Sequence, residues 1–529
     1  LATIEELADT FKPHFSDKYS KELIPILTNI FNDSTLKVQL ESCEALNTVM
    51  SNTDEVLLAS LSEQILDKTF GIFLKETLPN NLRECLLNVV ATLVSQVDKL
   101  FAPYANKCLS LICDFFSKSY TNKIHKSLYG NLIECITLIG PYDTAVYHKI
   151  IPDIVNAIIE IQNSIPLSTD PIREYLQDSI ERLIRVLKES FPELIPKMIE
   201  SVMKLVRSIP EMSVSSNPEE KFKIDDLLKS ATSDPNEVKV KYESVKTSST
   251  EEMASALETL NKVIEALGEL YLPYIDLTNK EIFFYLTYPT NEDIRQVSSD
   301  LLPVLLEIIK KSNNKESLVN YSKLYTSEMM KAVDSEIDNE THGYILENFV
   351  EIVEIADGYL VKEEVNQFFE KILSVFDKVE KRRIALLEKK STIENTIIQK
   401  KIKGKQAVDE DEEEDDEERM EKDLADEVAD IEDIQSQMAD LIGKLFATHK
   451  PYSQDVVNVI ITKMIPKYFR PEASTFENKM GMYLIDDIVE FLGQESLPEN
   501  IWHEMAQALI TYAGNEECSL RQAALYGIG

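Results

Sequence analysis

The chain has 529 residues, 44% of them hydrophobic and 28% charged, with only 13 glycines and one tryptophan. A single core rarely grows past about 250–300 residues, so this length implies several domains or a repeat array, and so little glycine argues against strands joined by hairpin turns. The net charge of −37 and a pI near 4.6 repel nucleic-acid phosphates and anionic membranes, so basic partners are expected and direct nucleic-acid or membrane contact is not.

Read in chain order, the sequence repeats one unit. An apolar helix often opens near a proline, a polar turn with Asn or Asp follows, and a second helix begins on a Leu or β-branched residue beside a polar or basic one. Second-helix starts of this kind are Asn32-Asp33-Ser34-Thr35-Leu36-Lys37-Val38, Pro79-Asn80-Asn81-Leu82-Arg83, Thr121-Asn122-Lys123-Ile124-His125 and Asp170-Pro171-Ile172-Arg173. Later ones are Asn291-Glu292-Asp293-Ile294-Arg295 and Glu517-Cys518-Ser519-Leu520-Arg521. Val38, Leu82, Ile124 and Ile172 recur at roughly 42–48 residues, the period of HEAT repeats. First-helix starts show the matching proline at Phe101-Ala102-Pro103-Tyr104, Phe191-Pro192, Tyr271-Leu272-Pro273 and Lys450-Pro451, where the first helical turn tolerates a missing N–H. One such hairpin cannot bury its apolar stripe alone, whereas stacked hairpins share a continuous core and curve around a concave face. The expected fold is therefore all-α: a HEAT-repeat α-solenoid, a right-handed superhelix of antiparallel helix pairs.

Two segments interrupt the period. Residues 208–250 are polar and read as an insertion or long loop. Residues 378–433 begin basic (Lys381, Arg382, Arg383, Lys389, Lys390, Lys400, Lys401, Lys403, Lys405) and end in an unbroken run of ten acids, 409–418. Ile384, Leu387, Ile393 and Ile397 are near helical spacing, so the basic part is expected to be a long exposed helix, able to fold against its acidic neighbour. The acidic run is expected to be disordered or fully solvated. The organisation predicted is thus about four to five HEAT repeats over 1–207, an insertion at 208–250, repeats over 251–377, the basic helix with acidic insertion at 378–433, and further repeats over 434–529. Leu1 already opens a helical pattern and the last residues stop inside one, so both ends read as cut from a longer protein. No apolar run is judged to reach the ~18–20 residues that span a bilayer.

Catalytic chemistry finds little support. The six cysteines, Cys43, Cys85, Cys108, Cys113, Cys135 and Cys518, fall in apolar helical patterns without a CxxC pair, and are expected to be buried free thiols. None of His14, His125, His148, His342, His449 and His503 sits in HExxH or at metal spacing with a cysteine. No Walker loop, GxGxxG or GxSxG is present. The chain is expected to be no enzyme and to need neither cofactor nor metal.

Three stretches carry a family resemblance. They are Gly130-Asn131-Leu132-Ile133-Glu134-Cys135-Ile136-Thr137-Leu138-Ile139-Gly140, the paired-aspartate helix Gly481-Met482-Tyr483-Leu484-Ile485-Asp486-Asp487-Ile488-Val489-Glu490, and Arg521-Gln522-Ala523-Ala524-Leu525-Tyr526-Gly527-Ile528-Gly529. In wording and order they resemble the importin-beta (karyopherin-beta) family, most closely its importin-beta-3-like branch, of which this chain looks like a central fragment. The resemblance implies a monomeric nuclear transport receptor that shuttles between cytoplasm and nucleus. It implies basic cargo such as histone- or ribosomal-protein-like chains, release by Ran-GTP, and docking to Phe-Gly nucleoporins. Alternatives are a HEAT scaffold for a multiprotein complex and a chaperone for histones or ribosomal proteins.

In such stacks the second helix of each pair lines the concave side. Acids on second helices include Glu41, Glu44, Glu84, Glu134, Asp178, Glu181, Asp300, Glu347, Glu351, Asp486 and Asp487. One exposed ion pair is worth only about 0.2–1 kcal/mol, and micromolar binding needs about 8 kcal/mol, so many carboxylates must act together with aromatic contacts to lysine stems. Tyr129, Tyr344 and Tyr526 lie near second helices. By analogy with the branch, cargo contacts are expected in the first third: Glu41, Glu44, Glu84, Glu134, Asp178, Glu181 and Tyr129. Electrostatic contacts to Ran or cargo are expected from Asp409, Glu410, Asp411, Glu412, Glu413, Glu414, Asp415, Asp416 and Asp486. Because Asp486 and Asp487 are consecutive they cannot share a helix face, and one is expected to bond a neighbouring helix. Arg521 is expected in an inter-repeat ladder.

Overall fold

The structure, a computed structural model, describes residues 1–164, 172–207, 248–403, 411–470, 472–493 and 498–529. The predicted insertion at 208–250 lies almost wholly outside them, as do Asp409 and Glu410. Among the described residues there is no strand: the fold is the all-α HEAT-repeat solenoid that the period predicts. The chain divides into two compact units, Leu1–Pro210 with Glu258–Leu267, and Glu211–Leu257 with Gly268–Gly529.

In the first unit, a leading helix α1 (Ala2–Thr10) precedes four hairpins: α2 (His14–Ile30) with α3 (Leu36–Ser51), α4 (Glu55–Phe73) with α5 (Asn80–Val97), α6 (Ala102–Asn122) with α7 (Tyr129–Ile139), and α8 (Thr144–Ser164) with α9 (Ile172–Ser190). Helix α10 (Ile195–Val206) packs on α8 and α9. First helices stack on first helices and second on second, so that α3, α5, α7 and α9 form one row. Leu46, Leu86, Leu93, Ile112, Ile136 and Leu183 are wholly buried between the rows. The stretch Asn80–Asn122 is, by length and hydropathy, apolar enough to cross a bilayer, which corrects the reading of the apolar runs. Its Leu82, Leu86, Val90, Leu93, Leu109 and Ile112 are spent inside the hairpin stack.

Helix α11 (Ser248–Leu267) ends in a 3₁₀ segment. The second unit then holds α12 (Ile275–Tyr285) with α13 (Glu292–Lys311), α14 (Lys315–Ser335) with α15 (Asn339–Ala356), and the long pair α16 (Lys362–Lys403) with α17 (Asp411–Thr448). After these come α18 (Gln454–Val459), prolonged by a π-turn and Ile465–Tyr468, α19 (Thr475–Asp487), prolonged by the π-turn Ile488–Leu492, and the last pair α20 (Glu499–Tyr512) with α21 (Cys518–Ile528).

Local chemistry explains the element starts. Asp54, Asn291, Asn314 and Asp338 accept hydrogen bonds from the first orphan N–H groups of their helices. Ser474 and Glu477 form a reciprocal capping box. The proline-marked starts at Pro192 and Pro451 are short 3₁₀ turns, Pro192–Leu194 and Lys450–Tyr452. The arginine three residues into several second helices caps the turn before it. Arg83 donates to the carbonyls of Phe73, Leu78 and Lys75 at 3.3, 3.0 and 2.6 Å, and Arg295 to that of Tyr288 at 2.9 Å. Arg521 does the same with Asn515 and Glu516, both at 2.8 Å. It therefore closes its own turn rather than joining a ladder between repeats.

Rungs between repeats come from other side chains one period apart: Asn131 to Asn88, Arg182 to Thr137, Gln296 to Thr341, Tyr321 to Asp276 and Tyr325 to Asn279, separated by 43 to 46 residues. The basic segment is not an exposed rod. Helix α16 lies against α17, with Arg383, Leu386 and Ile397 buried while Ile384 and Leu387 remain exposed. The acidic run enters α17 from Asp411 onward and is helical there rather than disordered. Across the pair, Arg382 lies 3.7 Å from Glu427 and Arg383 lies 3.2 Å from Glu432, so the basic helix and its acidic partner offset each other's charge.

Candidate functional site

The row of second helices in the first unit brings together most of the acids expected to hold cargo. Glu44 on α3 is exposed and makes no ion pair among the described residues, and Glu41 one turn earlier is half-buried. Glu84 on α5 and Glu134 on α7 are half-buried. Glu44 and Glu84 converge on Cys85: burial first, and then these two carboxylates, push its thiol up to about 11.

Three asparagines, which the sequence reading overlooked, run through the same row. Asn131 on α7 is buried and donates from Nδ2 to Asn88 Oδ1 on α5 at 2.8 Å. One repeat earlier, Asn47 on α3 holds a buried Oδ1 with no hydrogen-bond partner. Buried amides normally satisfy both ends, so an accepting oxygen left over beside Glu44 suits a donor from outside. The signal lay in the period: Asn47, Asn88 and Asn131 each stand three or four residues from an acid of the same helix.

At α9 the acids are paired. Exposed Asp178 lies 3.9 Å from Lys262, and Glu181 is bonded to Arg185 at 2.6 Å. Arg182 beside them donates to Thr137. These cations occupy what the sequence treats as open carboxylates. Tyr129 is 4% exposed, and its hydroxyl donates to the carbonyls of Ser119 and Ile124. It fastens the α6–α7 turn and offers no ring face to a ligand.

The second unit has its own acids. Asp300 accepts from Tyr344 at 3.2 Å and from Asn348 at 2.8 Å, and Glu347 accepts from Gln437 at 3.2 Å. Burial, then Glu307, Glu354 and Asp300, raise Glu351. Tyr344 and Tyr526 are exposed, as a lysine-stacking ring needs to be. Asp411, Glu412, Glu413, Glu414, Asp415 and Asp416 lie on the first turns of α17. Asp486 is buried and Asp487 half-buried. The cysteines are unbridged, but only Cys43, Cys108, Cys113 and Cys135 are buried; Cys85 is half-buried and Cys518 exposed. Burial pushes Cys108 and Cys113 up to about 12 and Cys135 well above its ordinary value, so these remain thiols rather than nucleophilic thiolates. No group of three or more His, Cys, Asp or Glu among the described residues could hold a metal ion.

Helical hairpins in register at a HEAT period define a HEAT-repeat solenoid. Solved structures of the karyopherin Kap121p share this fold. Its complex with the SUMO protease Ulp1p matches at a TM-score of 0.69 and 16% identity, over 99% of this chain and 45% of that one. Its complex with Nup53p matches at 0.70 and 16%, again over 99% and 45%. In sequence, the chain is 22% identical to importin subunit beta-3 of Saccharomyces cerevisiae over 309 residues, 58% of this chain and 28% of that protein. The likeness to the importin-beta family read from three stretches is thus matched in sequence and in fold. No family model matches the sequence. The chain spans less than half the length of these relatives.

Proposed function

We propose that this chain is the cargo-holding part of a nuclear transport receptor, gripping an extended basic segment along α3, α5 and α7. The observation that carries this reading is the convergence of Glu44 and Glu84 on Cys85 beside the Asn88–Asn131 rung. Carboxylates there take lysine ammonium groups, and asparagine amides take the peptide backbone of a segment lying across successive helices. Solved Kap121p is bound to Ulp1p in one structure and to Nup53p in another, and by analogy this chain takes protein cargo and nucleoporin segments. The complete receptor shuttles between cytoplasm and nucleus, binds histone- or ribosomal-protein-like basic chains, and releases them on binding Ran-GTP.

The test is titration of a labelled lysine-rich peptide. Binding in the micromolar range that weakens steadily as salt rises is the expected result. Glu44→Gln with Glu84→Gln weakens it about tenfold, the loss of about 1.4 kcal/mol that two part-exposed ion pairs supply. Binding indifferent to salt or to these substitutions sinks the proposal. A pull-down with the full-length protein, with and without Ran-GTP, tests release.

A further inference from the structure

Asp486 and Asp487 close helix α19, and successive residues on a helix face about 100° apart, so the two turn to different neighbours. A Cβ on Gly443 of α17 would lie 2.6 Å from Asp487 Oδ2, and one on Gly527 of α21 would lie 1.9 Å from Asp486 Oδ1. Any side chain at either glycine would have to displace a carboxylate. Asp486 is 5% exposed, yet neither of its carboxylate oxygens has a hydrogen-bond partner. Native structures rarely bury a carboxylate this way, because the full desolvation cost goes uncompensated.

The surroundings make the deficit one of positive charge. Glu490, carried on the π-turn Ile488–Leu492, is one turn from Asp486 and exposed, and it accepts from the Tyr526 hydroxyl of α21 at 3.0 Å. Asp440 of α17 is exposed on the other side. The facing cation is Lys444 of α17, which is itself engaged by Glu354. Burial first, then Asp487 and Glu490, push Asp486 up to about 8. Burial, then Asp440 and Glu490, push Asp487 up to about 7 against the pull of Lys444. A water molecule would supply hydrogen bonds but no charge, and the residues form no metal-ligand group.

We infer that the seam between α17, α19 and α21 is a receptor for a cationic side chain, lysine or arginine, presented by a basic segment of a partner protein. Asp486 and Asp487 form its floor, Asp440 and Glu490 its rim. The Tyr526 ring, 67% exposed, forms a wall against which an ammonium or guanidinium stem lies. An ammonium brings three donors and the missing charge together. Docking draws both aspartates into the ionised state, and so binding near neutral pH releases protons. This seam lies in the second unit and shares no residue with the first-unit face of Glu44 and Glu84.

The test is calorimetric titration of the chain at pH 7.5 with an extended lysine-containing peptide, and with the same peptide carrying norleucine for lysine. Runs in two buffers of different ionisation heat read the protons released. The lysine peptide is expected to show two binding events, one of them proton-releasing, and the norleucine peptide neither. Asp487→Asn with Glu490→Gln weakens the proton-releasing event about tenfold and reduces its buffer dependence. Glu44→Gln with Glu84→Gln weakens only the other. Asp486→Asn, a neutral isostere at a buried site and so compatible with the fold, lowers the number of protons released. A proton-releasing event unchanged in Asp487→Asn/Glu490→Gln, or no such event at all, overturns the seam and leaves the first-unit reading to be judged by its own substitutions. If instead the only event is the one that Asp487→Asn/Glu490→Gln weakens, the seam stands and the first-unit face falls.

Discussion

Glu477 and Asp486 sit on the same helix, both about 95% buried, and have opposite fates. Glu477 accepts from Arg383 at 3.0 Å and from Arg470 at 2.9 Å, and its carboxylate also receives the Ser474 N–H at 2.8 Å. Burial alone would raise it, but the Ser474 backbone and the two arginines outweigh burial and hold it below its ordinary value. Asp486 has burial without partners and is pushed far the other way. Depth is equal, so the difference lies in the donors supplied. The α16–α17 pair brings Arg383, itself 2% exposed and held also by Glu432 at 3.2 Å and the Phe476 ring. Nothing comparable reaches Asp486. One acid is a strut tying the long hairpin to the next repeat; the other keeps its proton for want of a counterion.

Breaking the strut should show the largest effect. Glu477→Ala leaves Arg383 and Arg470 short of a shared acceptor, and a broken buried pair costs about 3–5 kcal/mol. Urea unfolding followed by circular dichroism checks this, and a loss under about 1 kcal/mol would show that Glu432 suffices alone. The next effect has the opposite sign. Asp486 folds with its pKa near 8 against an ordinary 3.8, so the folded state holds the extra proton between those values. Stability drawn from that proton is whole below pH 4 and is lost as pH climbs to 8. Asp486→Asn should therefore stabilise the chain by about 1–3 kcal/mol at pH 9 and hardly at all at pH 5. A melting-temperature difference that does not widen with pH sinks the comparison.

A third titration sharpens it. His449 is 1% exposed, with Nε2 accepting the Leu360 N–H at 3.1 Å, and burial lowers its pKa to about 4. It is folded neutral, so its contribution is whole above its ordinary 6.5 and lost as pH falls toward 4. His449→Gln should flatten the acid limb of stability while leaving the alkaline limb, where Asp486 acts, unchanged. The smallest effect is expected at Arg521. Arg521→Ala removes two hydrogen bonds to carbonyls at a part-exposed turn, a loss of about 1 kcal/mol, with no coupling to substitutions in the preceding repeat as a ladder would require. A double-mutant cycle with Asp486→Asn measures that coupling.

The fold was legible because its signal is periodic. Leu82 and Arg83, or Ile294 and Arg295, mark second-helix starts wherever they occur, and a hairpin repeated at 42–48 residues has few other ways to bury its stripe. The site was legible only by residue type. Residue type picks out Glu44 among the acids of second helices, but it picks out Asp178 and Glu181 equally, and these Lys262 and Arg185 engage. Tyr129 had the right position and the wrong direction, since a helix of eleven residues with apolar positions on every side does not announce which face its tyrosine takes. Asn88 and Asn131 were missed because an amide is unremarkable until its partner lies one repeat away.

By itself the amino-acid sequence determined the helices, their pairing and the acidity, all of which are properties of spacing and composition summed along the chain, and three of its stretches carried the likeness to importin-beta proteins. The tertiary structure alone decided which carboxylates are neutralised and which are left wanting. Glu477 and Asp486 are both acids on one short helix, and nothing within that helix says that Arg383, from a helix far earlier in the chain, will reach the first and that only the bare backbone of Gly527 will face the second. Charge compensation is set by what crosses a gap of a few ångströms, and that depends on how separate helices pack.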